Sequence, residues 1–275
     1  MKIAVLSGKG GTGKTFVSVN LAYLIKNASY YDCDVEEPNG QVYFKGEYKE
    51  ESVSVDIPVI DHDKCILCGK CSEFCKFNAL ALILDKVRLF PQLCHSCGGC
   101  KIVCPVGAIT ETKKAIGKIK ETEYEGHHIV MGVLNIKEET GVKIIGELVE
   151  KTKDEVSDVL IDCPPGNGCS VMESIRDVDY CILVAEPTVF GLHNLKMVYE
   201  LTQVFNKKVG LVINKASDSD IIDNYAKVNS INVLSRIPFD KEMGYLNSLG
   251  EIVVKNPKFK GCFEDIISKI FGDKL

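Results

Sequence analysis

Eight of the thirteen cysteines in this chain lie between Cys65 and Cys104, and they follow a rule. Cys65-Ile-Leu-Cys68-Gly-Lys-Cys71-Ser-Glu-Phe-Cys75 is echoed 29 residues later by Cys94-His-Ser-Cys97-Gly-Gly-Cys100-Lys-Ile-Val-Cys104. Downstream, Ala79-Leu80 is matched by Ala108-Ile109. The pattern C-x2-C-x2-C-x3-C, used twice, brings three thiolates close enough to wrap one 4Fe–4S cubane, and the loop amides are available to bond its sulfides. Tetrahedral zinc usually takes two separated C-x2-C pairs and is the weaker reading. Disulfide pairing is weaker still. The stretch 1–6 has no apolar core of a secretory signal, so the chain is read as cytoplasmic, where thiols stay reduced.

The cysteine-rich stretch, from about residue 57 to 112, interrupts a different pattern. Short apolar runs at 2–6, 28–31, 129–134, 159–161, 180–185, 209–213 and 231–234 read as buried parallel strands. Helical patterns lie between most of them, at 14–25, 142–150, 192–205 and 221–228. Strands alternating with helices predict an α/β fold, a mostly parallel sheet with helices on both faces. The expected division is 1–56 and 113–275 for the two parts of that domain, with 57–112 inserted between them. No low-complexity linker marks either junction, which predicts a short, semi-rigid attachment.

Gly8-Lys9-Gly10-Gly11-Thr12-Gly13-Lys14-Thr15 follows the first strand run and opens the first helical pattern, the context a phosphate-binding P-loop requires. Its glycines let backbone N–H groups converge on phosphate oxygens, and the helix N-terminus adds a favourable field. Lys14 is expected to reach the β- and γ-phosphates of ATP, and the Thr15 hydroxyl to ligate Mg²⁺. Asp32-Cys33-Asp34 ends the second strand run, and Asp162-Cys163-Pro164-Pro165-Gly166 follows the run 159–161. Both carboxylate groups stand at strand ends, where open α/β sheets bind ligands, although an Asp there can also cap a helix.

Lys9, at the second motif position, resembles the deviant P-loop of the MinD/ParA (SIMIBI) class of ATPases. In that class this lysine contacts phosphate across a subunit interface, so the resemblance implies a homodimer formed on ATP binding. It also implies that Asp34, in switch I, orients the attacking water, that Asp162 holds Mg²⁺ directly or through water, and that the Gly166 amide senses the γ-phosphate. Asn214 and Pro238 resemble adenine-site elements, and Phe16 belongs to the same nucleotide-binding stretch. The insert is similar to bacterial two-cluster ferredoxins, α+β domains in which the fourth cysteine of each motif ligates the other cluster. Carried over, this gives one cluster to Cys65, Cys68, Cys71 and Cys104, and the other to Cys94, Cys97, Cys100 and Cys75. Lys76 departs from the pattern, standing where a proline often follows the fourth cysteine.

Of the other cysteines, Cys33, Cys163 and Cys181 read as packing residues. Cys169 lies seven residues after Asp162, the offset of a bridging-cluster ligand in the nitrogenase iron protein, but no cysteine between Cys104 and Cys163 supplies the second ligand. A bridging cluster is not expected, and Cys262 is alone near the end of the sequence. His95 reads as a surface residue and His127-His128 as a loop pair. The amphipathic stretch 263–271 reads as a helix docked on its own domain, not on a membrane. A net charge of −5 gives no general pull toward nucleic acid. The combined resemblance implies ATP hydrolysis coupled to electron transfer, or to binding of a redox or acceptor protein. The competing expectations are a cluster carrier resembling Mrp proteins and a positioning ATPase with structural clusters.

Overall fold

The computed structural model describes residues 1–272. In chain order its strands and helices are β1 (Lys2–Leu6), α1 (Lys14–Leu24), β2 (Ser29–Asp32), α2 (Gly40–Tyr43), β3 (Lys49–Ile60), α3 (Lys70–Phe74), β4 (Leu80–Ile83), β5 (Lys86–Leu89), α4 (Gly99–Ile102), β6 (Ile109–Tyr124) and β7 (His127–Leu134). There follow α5 (Val142–Lys151), β8 (Val159–Asp162), α6 (Cys169–Ile175), β9 (Tyr180–Ala185), α7 (Val189–Val204), β10 (Lys208–Ala216), α8 (Ile221–Val228), β11 (Asn232–Pro238), α9 (Lys241–Ser248) and α10 (Pro257–Phe271). They divide into two compact units: Met1–Glu50, Ile119–Val133 and Ile144–Leu275 in one, Glu51–Lys118 and Leu134–Lys143 in the other. The sequence junctions at 56/57 and 112/113 fall inside β3 and β6.

The first unit is built on a sheet in the order β11-β10-β9-β1-β8-β2-β7, continued by β6 and β3. The pairings from β11 to β7 are all parallel. Its strands are buried on both faces, which is why they read as unbroken apolar runs. β1 lies centrally, between β8 and β9. The chain leaves β1 toward β2 on one side and reaches β9 on the other, so the strand order reverses beside β1, the place where such sheets open a ligand crevice. Register sets the next constraint: Asp32 stands opposite Asp162 on neighbouring strands, bringing two carboxylates side by side at the sheet's C-terminal edge.

α10 closes the apolar core of this unit. Asn256 caps it by accepting from the Lys258 amide at 3.1 Å, Pro257 takes the first turn, and Phe259, Phe263, Ile266 and Ile267 are buried. The Phe263 ring meets Phe16 edge-on at 5.6 Å. One expectation is corrected: His127 and His128 are the first residues of β7 and not a loop. His127 is buried with Nδ1 3.1 Å from the Ala28 carbonyl, and His128 Nδ1 is 2.7 Å from Glu155. Burial of one ring and a carboxylate partner for the other extend the strand through them.

The second unit repeats its own backbone. Left-handed residues recur at the 29-residue spacing of the sequence: Leu67 and Ser96, Gly69 and Gly98, Asn78 and Gly107. Gly69 and Gly98 precede α3 and α4 at φ 75° and 70°, a turn that any side chain would strain. Gly99 is fixed by packing, since a Cβ there would stand 2.1 Å from the Phe74 ring. Between the halves, β4 and β5 form an antiparallel hairpin. The core is small: Cys71, Leu80, Val87, Cys100 and Ile109.

Candidate functional site

A cavity of about 420 Å³ opens at the end of β1. Lys9, Gly10, Gly11, Gly13, Lys14, Thr15 and Phe16 line it, together with Asp34, Asn214 and Pro238, so most residues singled out from the sequence meet here. Gly13 is left-handed at φ 90°, and a Cβ on it would lie 2.2 Å from Asn214 Nδ2. That amide donates to the Thr12 carbonyl at 2.7 Å, so Asn214 fastens the loop itself.

Gly8, Thr12, Asp162 and Gly166 stand outside the lining. Asp162 is fully buried and receives Lys14 Nζ at 2.5 Å and the Tyr30 hydroxyl at 3.1 Å. Asp34 lies 3.7 Å from the same lysine. Asp32 accepts from the amides of Gly40 at 2.9 Å and Asp34 at 3.1 Å. Burial alone would pull Lys14 down, but Asp162, Asp34 and Asp32 outweigh it and hold the lysine above its usual value. Burial, reinforced by Asp162, Glu37 and Glu36, pushes Asp34 up to about 6 against the pull of Lys14. Asp32 is raised by burial and by Asp162. Hard oxygen donors gather round this one lysine, a donor set of the kind that suits Mg²⁺. The Thr12 hydroxyl is buried and has no hydrogen-bond partner among the described residues. The Gly166 amide donates to the Ser7 carbonyl at 2.9 Å.

Lys9 Nζ lies 3.3 Å from Glu186 and 5.2 Å from the centroid of the exposed Phe190 ring. Glu186 also receives Lys215 at 2.6 Å, and Lys215 reaches the Gly11 carbonyl at 3.1 Å. Burial raises Glu186, yet the two lysines outweigh it and hold the carboxyl below its ordinary value. Glu186 and Tyr30 escape the motif reading. Glu186 and Lys215 follow or end apolar strand runs, so the strand-end rule points to them; nothing in the sequence marks Tyr30.

Within the second unit, eight cysteines line two cavities. Cys65, Cys68, Cys71 and Cys104 line one, and Cys75, Cys94, Cys97 and Cys100 the other. Each cavity takes three cysteines from one half of the repeat and the fourth from the other half. Exposure repeats too: Cys71 and Cys100 are buried, Cys68 and Cys97 exposed. Among the described residues no three His, Cys, Asp or Glu side chains are grouped as for a single metal ion. Four thiols to a cavity match in number the four thiolates that hold a 4Fe–4S cubane. The Ala108 amide donates to Cys104 Sγ at 3.2 Å. Burial lifts the Cys104 thiol, but the amides of Val106, Ala108, Gly107 and Ile109 together bring it below its ordinary value. Lys101 is balanced by Glu111 at 2.8 Å, and His95 stacks on Phe77 at 3.7 Å. Cys169 is exposed at the start of α6, and Cys33, Cys163 and Cys181 are buried.

A P-loop cradle at the switch point of a mostly parallel sheet defines a nucleotide-binding α/β protein. The chain belongs to the CobQ/CobB/MinD/ParA nucleotide binding domain family, which it matches over residues 3–251. It is 30% identical over 277 residues to the protein MJ0579 of Methanocaldococcus jannaschii, covering 98% of this chain and 97% of that one. The structure of the septum site-determining protein MinD with Mg-ADP from Pyrococcus horikoshii superposes with a TM-score of 0.60 at 19% identity, covering 98% and 96% of the two chains. A ferredoxin of Pyrobaculum islandicum is 41% identical over 63 residues, 22% of this chain and 59% of that one.

Proposed function

We propose that this protein is a Mg²⁺-dependent ATPase, a homodimeric switch with two 4Fe–4S clusters, which couples nucleotide state to electron transfer or to binding of an acceptor protein. The observation that carries the reading is the crossed distribution of cysteines, four to each of two cavities, in a chain that also holds a P-loop. The partial likeness to a ferredoxin, over 63 residues, supports the reading of 57–112 as an inserted ferredoxin-like domain. When bound, the clusters supply one-electron redox chemistry, held by the two cysteine sets named above.

In this reading Lys14 changes partner. It neutralises Asp162 here, and a triphosphate draws it to the β- and γ-oxygens, freeing Asp162 to hold Mg²⁺ with Thr15. Asp34, within reach of Lys14 and lining the cavity, orients the attacking water. Lys9, leaning on Glu186 and Phe190, is the residue available to a second copy's phosphate. Loss of the γ-phosphate reorganises the segment after Asp34, which leads along β3 toward the cysteine unit.

Anaerobic purification tests the two halves separately. Brown, iron-containing protein that binds ATP–Mg²⁺ is expected; colourless, iron-free protein removes the cluster half, and failure to retain ATP removes the nucleotide half. Asp34→Ala is expected to bind ATP and to hydrolyse it roughly 10²-fold or more slowly. Unimpaired turnover would mean that Asp34 is not the water-orienting group. Cluster potentials identical with ATP analogue, ADP and no nucleotide would end the coupling. Delivery of a cluster to an apo-acceptor would make the protein a carrier.

A further inference from the structure

The repeat gives each position around one cysteine cavity a counterpart around the other, so the differences between counterparts stand out. Two of them concern hydrogen-bond donors. The Ala108 amide donates to Cys104 Sγ at 3.2 Å, and among the described residues no such bond reaches the counterpart, Cys75 Sγ. Ser72 follows Cys71 where Lys101 follows Cys100. The Ser72 hydroxyl is buried and has no hydrogen-bond partner among the described residues. It stands beside the Cys71 thiol, where with the Ser72 amide it opposes the upward push of burial. Lys101 turns to Glu111 instead, at 2.8 Å. The third difference is charge. Apart from the thiols, Lys70 is the one charged residue lining the cavity of Cys65, Cys68, Cys71 and Cys104. Asp56, Glu111 and Lys76 line the cavity of Cys75, Cys94, Cys97 and Cys100. Lys113 and Lys101 pair with its two carboxylates, at 3.0 and 2.8 Å, from outside the lining. Exposure does not separate the two sites, since each has one exposed cysteine, Cys68 or Cys97.

We propose that Ser72 and the Ala108 amide make the site of Cys65, Cys68, Cys71 and Cys104 the one of higher reduction potential, so that an electron entering this unit comes to rest there. Reduction adds one negative charge to a cluster and its four thiolates. Donors at the sulfurs stabilise the added charge, and neighbouring carboxylates oppose it. The donors gather at the first site and the carboxylates at the second, so both effects act in the same direction. One electron leaves the site of Cys75, Cys94, Cys97 and Cys100 and one arrives at the other; no proton moves and no bond breaks. The inference rests on the cluster half of the proposed function and is independent of the nucleotide.

The test is an anaerobic titration with dithionite, followed by electron paramagnetic resonance, on full-length protein of known iron content. It is run at about pH 8, above the ordinary histidine range, because His95 also lines the second cavity. Two proteins isolate the sites: Cys75→Ser with Cys94→Ser keeps the first, and Cys65→Ser with Cys104→Ser keeps the second. The protein keeping the first is expected to reduce more readily by about tenfold in the equilibrium constant, ~59 mV for one electron. In otherwise wild-type protein, Ser72→Ala is expected to lower the higher midpoint and leave the lower one in place. Ser72→Thr, which keeps the hydroxyl, retains both, and Glu111→Gln raises the lower one. Two clusters that reduce at one potential in the wild type overturn the inference. So does the reverse order in the single-site proteins, or a Ser72→Ala protein with full iron and both midpoints unmoved. Wild-type protein that holds no iron overturns the cluster reading itself.

Discussion

At the residue scale, the phosphate end is a set of groups waiting for a ligand. Thr12 shows it most simply. Its hydroxyl is buried without a partner among the described residues, which costs about 1–3 kcal/mol in the free protein. Thr12→Val is therefore expected to raise the melting temperature of nucleotide-free protein and to weaken ATP binding. A variant that melts lower without nucleotide would show that the hydroxyl is already satisfied. Asp34 gives a pH dependence. Its carboxyl sits at about 6 in the fold against an ordinary 3.8, with burial as the main cause. Between those values the folded state holds a proton that the unfolded chain has lost, so this residue's contribution to stability falls as pH rises through the window. Relative to wild type, Asp34→Asn is expected to gain stability from about pH 4 to pH 7 in nucleotide-free denaturant titrations. A stability difference that stays flat across that range would refute the assignment. Lys14 was legible because phosphate chemistry demands a contiguous pattern, and Asp34 because it follows the end of a strand run. Tyr43 and Asn247 were not, because only the folded chain brings them to the cavity.

At the element scale, legibility followed burial. Strands covered on both faces, such as β1 and β9, are apolar from end to end and stand out in the sequence. β6 carries lysines and glutamates along most of its length, and β3 opens on three charged residues and then alternates apolar with polar, so neither presents such a run and two long strands passed unread. α9 has one buried residue, Met243, and no apolar stripe to announce it. The stretch 263–271 was legible because its buried phenylalanines and isoleucines recur at helical spacing. Side-chain ties between strands are equally invisible beforehand. Glu155 receives the hydroxyls of Ser29 and Tyr31 at 2.7 Å each and faces His128 Nδ1 at 2.7 Å, joining β2 to β7. Burial raises its carboxyl, but these bonds outweigh it and leave Glu155 below its ordinary value. Its stabilising contribution is present above about 4.5 and is lost as pH falls through the lowered value. Glu155→Gln is expected to cost about 1–3 kcal/mol at neutral pH and progressively less in acid. An equal cost at pH 7 and pH 3 would rule out a charge-assisted tie.

At the scale of the whole molecule, the two halves of the cysteine repeat are not two independent modules. Spacing alone announces a repeat, and the simplest assembly of a repeat gives each copy its own site. The cavities are arranged otherwise: Cys104 of the second motif joins Cys65, Cys68 and Cys71, and Cys75 of the first joins Cys94, Cys97 and Cys100. α3 and α4 pack together, with Phe74 against Gly99, which places each motif's fourth cysteine beside the other motif's first three. This exchange makes the site assignment testable without a structure of the loaded protein. Two substitutions that strike the same cavity remove no more than one cluster, whereas two that strike different cavities remove both. Cys65→Ser with Cys104→Ser, one from each motif, is expected to retain about half the iron and one set of cluster signals in electron paramagnetic resonance. Cys65→Ser with Cys75→Ser, both from the first motif, is expected to lose nearly all of it. If the motifs acted separately the outcomes would be reversed, with the same-motif pair keeping half the iron. That reversal would dissolve the crossed arrangement and, with it, the observation on which the proposed electron-transfer role stands.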